Sequence, residues 1–485
     1  MASAADYRRL GAGLLAVSAT ALLVWFGTGL HPWWPLLWFA PLPVLVYAGR
    51  ASWWAAALVA VPGWMLGNLN LWHYFGRVGV TPLGKASIVL TVSLAFALAV
   101  LHYRGLLRRG AYWSALLAFP AQWTAFEYLV NLTSLHGTAG NLAYSQLGFL
   151  PFLQLASLTG PWGMSFLLLL FSSALATGLY LRASAPRQAL RIVGASLGVI
   201  AAVLVFGAVR LALPEAGPQV KVGVIAADPP LSPEVADAGA PAQALFQAYA
   251  DRVTALAAQG AQVIVLPEKL AVAVEPDTGE MDRLFQSLAD HSGAQLVVGL
   301  VRVAAPLKYN EARVYRPAQP LQLYEKHHML PAFESIYTVG TSRTLLPQPS
   351  GTWGVAICKD MDFTPLSRQY GQDGAGLMLV PAWDFVMDRV LHGHMALMRG
   401  VESGFAMVRA AKQGYLTVSD DRGRIIAETS SDAAPFATLL ATVPAAHETT
   451  LYLLLGDWFA WLLLALLAFT LLPYVLPRGR ASASS

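Results

Sequence analysis

The sequence predicts a polytopic α-helical membrane protein with one α/β domain inserted near its C-terminal end, and three observations carry that reading. Hydrophobic residues make up 56% of the chain and charged residues only 12%, with a mean hydropathy of +0.51, whereas a soluble domain carries about 25% charged residues. Apolar runs recur at the length of about 20 residues that crosses a bilayer's hydrocarbon core. Between the last two of these runs lies a long segment of short β-branched stretches alternating with helical ones. At 485 residues the chain exceeds one compact domain. The net charge of +4 is small and comes from arginines between apolar runs, which points away from nucleic acid as a partner.

Taken in order, seven apolar runs precede residue 215, at 9–30, 33–49, 53–75, 86–103, 112–130, 162–181 and 190–213. An eighth lies at 452–476, in LYLLLGDWFAWLLLALLAFTLLPYVL. The first follows Arg8 and Arg9 as a signal peptide would, but it has no convincing small-residue cleavage site and another span follows at once. This divides the chain into a membrane domain with seven transmembrane helices (1–215), the α/β domain (218–445), an eighth transmembrane helix (450–477) and a short tail (478–485).

Arginine placement predicts the orientation. Alternate connections carry Arg8 and Arg9, then Arg50, then Arg104, Arg108 and Arg109, then Arg182, Arg187 and Arg191, then Arg478 and Arg480. The other set holds only Arg77 and Lys85, and the 131–161 connection has neither Lys nor Arg. By the positive-inside bias both termini face the cytoplasm and the α/β domain lies on the far side, which is periplasmic in a Gram-negative inner membrane.

Within 218–445, VKVGVIAAD, AQVIVLPE, QLVVGLV, ARVYRP, TWGVAICKD and GLMLVPAWD read as strands, and PAQALFQAYADRVTALAAQG spaces its apolar residues as a helix does. The alternation indicates a layered α/β domain.

Three polar groups fall at the ends of those strands: Glu268 in VIVLPE, Lys326 in LYEKHHMLP and Cys358 in GVAIC. Cys358 is the only cysteine, which excludes an intramolecular disulfide and a cysteine-based zinc site. Strand ends in α/β sheets are where side chains converge on a ligand. A thiol, a carboxylate and an ammonium make a complete set for acyl transfer: the carboxylate takes the thiol proton, the thiol attacks, and the ammonium faces the oxyanion. Composition alone favours the opposite reading, of Cys358 as a small core hydrophobe, Glu268 as a turn residue and Lys326 as a surface loop residue.

The surrounding motifs reverse that balance. Strand-Pro-Glu, then Tyr-x-Lys-x-His-x-x-Pro-x-x-Glu, then a hydrophobic strand ending in Cys resembles the nitrilase, or carbon–nitrogen hydrolase, superfamily. Set between seven spans and a final one, it resembles the apolipoprotein N-acyltransferase family. WTAFEYL, NLAYSQ and TGPWGMSFLLL are similar to that family's membrane-half motifs, and YEKHHMLPAFE, ICKD, PAWDF and MRGVESGFAMVRA follow in its order.

The resemblance implies an inserted nitrilase-like αββα sandwich and a ping-pong acyl transfer. Cys358 would take an acyl chain from a phospholipid donor as a thioester and pass it to the α-amine of a diacylglyceryl-modified apolipoprotein acceptor. It makes Glu268 the base and Lys326 the oxyanion partner. Glu334 then supports the site, Trp383 is a lipid-holding aromatic, and Asn310, Arg399 and Glu402 line or brace it. No cofactor and no metal are implied, and a monomer suffices. Rival readings with the same three residues are a membrane-tethered amidase or an acyltransferase for another amine; a non-catalytic lipid-binding relative is the third.

The pattern departs from the family after the nucleophile, where Lys359 and Asp360 stand in place of Tyr and Glu. Lys359 either lowers the thiol pKa or points away along the strand. Ala411–Lys412–Gln413–Gly414 replaces a polar Thr-Asn-x-Gly stretch. Met378, Trp383, Phe385 and Met387 are candidates for an apolar mouth and equally for core packing. Glu127, costly in lipid, is a candidate for a cavity-facing or bracing role. His327 and His328 would face opposite sides of a strand, and His392 and His394 lack a third ligand nearby, so no zinc site is expected.

Overall fold

The computed structural model describes residues 4–475 except 215, 216, 233, 277 and 350. The expected tail at 478–485, with Arg478 and Arg480, lies outside the described residues.

The N-terminal part is helical, and the apolar runs become helices of unequal length. Tyr7–Gly27, Pro82–Arg108, Pro161–Leu181 and Pro186–Ala212 are each long and apolar enough to cross a membrane. Three of them start on proline, whose missing N–H costs nothing in a first turn. Thr81 caps one of these by accepting the Gly84 amide at 3.2 Å. Pro161–Leu181 is the central helix, with 78% of its apolar window buried against 22–33% for the other three. Those others turn Leu14, Leu22, Leu98, Leu190 and Val205 outward, as lipid-facing helices do.

The remaining expected runs are less regular. The 33–49 run splits into Trp34–Leu37 and Leu42–Arg50 around Pro41 and Pro43, and nine residues of helix reach only about 14 Å. Trp53–Asn68 has 16 residues, and Tyr112–Thr133 has 22 with Pro120 inside. The last run is interrupted at Gly456, whose φ of +61° ends the Leu451–Leu455 helix before Trp458–Val475 begins. Asp457 in that break accepts hydrogen bonds from Trp162 Nε1 at 2.7 Å and Tyr452 Oη at 2.8 Å.

Polar bonds mark the two ends of the bundle. Arg50 donates to Leu179 O at 3.2 Å and Arg104 to Ala51 O at 2.8 Å, gathering the arginine-rich turns at one end. The α/β part sits at the other, through Tyr74 to Asp388 (2.9 Å), Thr138 to Asp362 O (2.9 Å) and Arg210 to Glu448 (2.8 Å). Arg210, absent from the arginine count above, therefore serves as a tie between the parts.

The α/β part contains two sheets. In chain order the first six strands are β1 (Gln219–Ala226), β2 (Val263–Val265), β3 (Val272–Val274), β4 (Gln295–Ala304), β5 (Leu307–Tyr315) and β6 (Gln322–Glu325). The next six are β7 (Thr344–Gln348), β8 (Gly351–Val355), β9 (Ala375–Trp383), β10 (Ala406–Lys412), β11 (Tyr415–Ser419) and β12 (Ile425–Ser430). A thirteenth, β13 (Ala437–Pro444), returns to pair antiparallel with β1. One sheet runs β13-β1-β2-β4-β5-β6 with β3 also on β4, and the other runs β12-β11-β10-β9-β8-β7.

Strand alternation explains the layering. Val222, Val224, Val263, Val265 and Val297 face the second sheet's Val355, Leu379 and Val408 in one core. The intervening Ile225, Ile264, Leu296 and Val298 face the opposite way, onto Tyr249 and Phe285 of the Ala240–Ala258 and Gly279–Ser292 helices. Leu366, Tyr370 and Ala396, from the Thr364–Gln372 and Arg389–Ser403 helices, join the core of the second sheet. The result is an α-β-β-α sandwich. Met378 is wholly buried in that core and does not line a mouth.

Candidate active site

Three loops deliver the reactive groups, each just past a strand. β2 stops at Val265, so Glu268 sits in the loop beyond it. That loop passes so close to β4 that a Cβ on Gly299 would lie 2.3 Å from Pro267 O and 2.6 Å from Glu268 Cα. Lys326 follows β6, its amide bonded to Asn310 O at 2.9 Å. β8 stops at Val355, and Cys358 opens the one-turn helix Cys358–Asp362 with φ at +46°. Such a backbone costs about 1–3 kcal/mol for a non-glycine residue and concentrates at functional sites.

Glu268 and Lys326 meet directly, Nζ to Oε1 at 2.8 Å, and both are buried. Lys326 also donates to Glu334 Oε2 at 2.8 Å. Asn310 Nδ2 bridges the two carboxylates, at 2.6 Å to Glu268 and 3.0 Å to Glu334. Lys269, unmentioned by any sequence motif, donates to Glu334 Oε1 at 2.6 Å. Two ammoniums and two carboxylates thus share one buried site, which is tolerable only because each has opposite charge beside it. Burial works to discharge Lys326, but Glu268 and Glu334 prevail and hold its pKa well above the ordinary lysine value. Burial likewise opposes the Glu334 charge, and Lys326 and Lys269 overcome it, holding that carboxyl well below its usual range.

Cys358 lies against this cluster and is 5% exposed. Its Sγ is 3.4 Å from Trp383 O. Burial pushes the thiol up to about 12, with Glu268 adding to the effect against His392, Lys326 and Arg409. The resting group is therefore a thiol that needs a base before it can attack.

The supporting residues divide by what they touch. Asp360 accepts Tyr324 Oη (2.7 Å) and the Ile357 amide (3.0 Å) on one oxygen, and the His327 and His328 amides (3.1 and 2.8 Å) on the other. Both histidine amides thus aim at one carboxylate instead of diverging as strand neighbours. Lys359 points away from the sulfur, to His136 Nδ1 at 3.2 Å and Asp362 Oδ2 at 3.4 Å. Trp383 lies under two ammoniums, Lys269 at 4.7 Å and Lys412 at 4.3 Å from its ring. Burial, with the Lys269 charge, drops the Lys412 pKa to about 7. Arg399 and Glu402 pair at 2.9 Å, and Arg399 reaches Tyr144 Oη at 2.9 Å, so they brace the joint with the helical part. Glu127 accepts the Leu142 amide at 2.8 Å and Asn141 Nδ2 at 3.0 Å, bracing the same arm. Phe333 and Phe385 meet at 5.5 Å, and Phe333, Ile336, Val339 and Val386 are each exposed apolar side chains.

A second set of groups flanks the sulfur. Cys358, Asp384 and His392 bring ligand-type atoms within 4.8 Å of one another. Arg409 donates to both Asp384 oxygens, at 2.5 and 2.8 Å, so that carboxylate is already paired with a fixed positive charge. His392 carries the third group that spacing with His394 did not reveal; His394 turns to Glu428 at 3.1 Å.

Residues 18–174 match the family model described as the apolipoprotein N-acyltransferase N-terminal domain, and residues 233–455 match the carbon–nitrogen hydrolase model. The chain is 26% identical over 475 residues to the apolipoprotein N-acyltransferase of Geobacter metallireducens, covering 88% of each chain. It is 24% identical over 530 residues to that of Gloeobacter violaceus, covering 98% of this chain and 96% of the relative. Among solved structures, an amidase from Nesterenkonia sp. aligns at 17% identity and a TM-score of 0.40, over 48% of this chain and 92% of that one.

Proposed function

Because this chain belongs to the apolipoprotein N-acyltransferase family, with both halves matched and curated relatives aligned along most of its length, we infer that it acylates the N-terminal amine of lipoproteins. It is an acyltransferase built on a carbon–nitrogen hydrolase domain. The observation that carries the assignment of residues is the Glu268–Lys326 contact beside a buried, unionised Cys358.

Glu268 takes the Cys358 proton as the sulfur attacks the ester carbonyl of a phospholipid. Its Oε1 holds both Lys326 and Asn310, and Oε2 has no hydrogen bond among the described residues, which suits a base awaiting a proton. Lys326 faces the oxyanion, with Glu334 holding it in place. Collapse releases a lysophospholipid and leaves a thioester on Cys358. The α-amine of a diacylglyceryl-modified cysteine then takes the acyl chain as an amide. The exposed apolar side chains of Phe333, Ile336, Val339 and Val386 face both lipids and keep water from the thioester.

Residues 1–215 form the membrane domain with seven passes, 218–445 the catalytic domain, 450–477 the eighth pass and 478–485 a cytoplasmic tail. The α/β part sits at the bundle end opposite Arg50 and Arg104, which supports a periplasmic site above the inner membrane with both termini inside. One copy holds the full catalytic set, so a monomer suffices.

Mass spectrometry of the purified protein after incubation with a defined phospholipid tests this reading. The expected result is an acyl mass on Cys358 that persists in water and is discharged by a lipopeptide amine. Rapid loss to water would make the protein a hydrolase, and the absence of any adduct would remove the thioester from the reaction.

A further inference from the structure

The Glu268–Lys326–Cys358 set offers one proton carrier, Glu268, for three duties: taking the thiol proton, protonating the departing glycerol oxygen and deprotonating the attacking amine. His392 is placed to share the last two. It projects from the Arg389–Ser403 helix, with Nδ1 2.7 Å from Asp384 Oδ1 and Nε2 only loosely held, 3.4 Å from Asp362 Oδ1. Asp384 is in turn fixed by Arg409. This is an imidazole oriented between two carboxylates, Asp384 on Nδ1 and Asp362 facing Nε2, with a ring nitrogen within 4.8 Å of the Cys358 sulfur.

We propose that His392 is a second catalytic proton carrier at Cys358, giving its proton to the leaving lysophospholipid oxygen and taking one from the acceptor amine. The groups facing the imidazole are Asp384, Asp362, Asp388 and the Cys358 sulfur, with Arg409 behind Asp384, Lys359 behind Asp362 and Tyr74 behind Asp388. Burial opposes its charge, but Asp362 foremost keeps it an imidazolium well above the usual histidine pKa. It therefore begins the cycle as an acid.

The steps balance. In the first half the thiol proton passes to Glu268, the S–C bond forms, the C–O bond to glycerol breaks, and the oxygen takes the His392 proton. In the second half the amine nitrogen bonds to the thioester carbon and its proton goes to His392. The C–S bond breaks, and the sulfur regains its proton from Glu268. Both carriers return to their starting states.

The inference rests on the thioester reading, and donors of different leaving-group basicity separate the two. His392→Asn keeps an amide where Nδ1 donates to Asp384 but carries no proton; His392→Gln is the companion variant. With a phospholipid donor, formation of acyl-Cys358 in His392→Asn should slow by on the order of 10²–10⁴-fold. With a p-nitrophenyl ester, whose leaving group departs without a proton, the same variant should slow by no more than about threefold. Equal losses on both donors in both variants, or no loss on either, would overturn the proposal. If the wild type forms no adduct with either donor, the thioester reading itself has failed and this one falls with it.

Discussion

Asp360 and His328 meet twice: Oδ1 of the aspartate accepts the His328 amide at 2.8 Å and lies 3.0 Å from His328 Nδ1. The other oxygen binds Tyr324 and the Ile357 amide. One buried carboxylate therefore fastens the turn that begins at Cys358 to the segments on either side of Lys326, and it governs the spacing between them. Asp360→Asn has one accepting oxygen where the carboxylate has two. It should destabilise the fold by about 1–3 kcal/mol and slow thioester formation by about 10–100-fold through misplacement. Denaturation midpoints and single-turnover acylation read the two effects, and an unchanged acylation rate would detach Asp360 from the chemistry.

Glu268→Gln and Lys326→Met should fail in different ways. The amide of Glu268→Gln can still accept from Lys326, so the protein should fold while acyl-Cys358 forms on the order of 10²–10⁴-fold more slowly. Lys326→Met leaves two buried carboxylates to Lys269 alone, 3.9 Å from Glu268 and 2.6 Å from Glu334, an imbalance worth about 3–5 kcal/mol of stability. A thermal scan alongside the mass measurement distinguishes them. Equal loss of stability in both variants would mean that Glu268 is chiefly structural.

Much of this was legible in the sequence because strand ends and motif order survive without knowledge of contacts. Glu268, Lys326, Cys358 and Asn310 converge because each lies at or just past a strand, and pairing within one sheet and packing against the other bring those strands together, while Glu334 arrives on the short Pro331–Glu334 helix. The span count was less legible. Hydropathy registers an apolar run but not that Pro41 and Pro43 break one, or that Gly456 interrupts another. Lys269 and Asp384 escaped notice because a charged residue next to a motif looks like a solvated turn. Their burial is a property of the assembled sheets. Nor does any local signal aim Lys359 at His136, which is 223 positions earlier in the chain.

The thiol's raised pKa predicts its response to pH. Alkylation needs thiolate, and with the thiol held up to about 12 the thiolate fraction at neutral pH is small. The rate of iodoacetamide labelling at Cys358 should climb with pH, about tenfold per unit, with no plateau from pH 6 to 9. A plateau beginning near neutrality would identify a standing thiolate and place the activating charge on the sulfur at rest.

Lys412 predicts a pH-dependent stability difference. Its folded pKa is depressed to about 7 from the ordinary 10.5, so between those values the unfolded chain holds a proton that the folded one has released. Stability from this group is present in full above 10.5 and lost as pH falls through 7. Lys412→Met lacks that dependence, so its stability relative to wild type should be greatest at pH 7 and decline steadily toward pH 10. Chemical denaturation in detergent at several pH values gives the curve. A flat difference would mean that Lys412 stays protonated, held by the Glu234 and Lys269 carbonyls it contacts.

Lys359 directly follows the nucleophile, where the resemblance implies Tyr, and its geometry separates two uses of a cation. Were it to act on the sulfur, removing it would raise the thiol pKa further and shift the alkylation profile to higher pH. Its Nζ instead contacts His136 at 3.2 Å and Asp362 at 3.4 Å and lies 5.5 Å from the Phe363 ring, joining the nucleophile turn to the 131–149 arm of the helical part. Lys359→Tyr should therefore leave the Cys358 alkylation profile superimposable on wild type. It should also lower stability by about 1–3 kcal/mol, because Asp362 loses one of its two cationic partners. Thermal melts and the labelling profile can be taken from one preparation. A profile displaced upward by a full pH unit would return Lys359 to the catalytic set and make its departure from the family a change in how the thiol is activated.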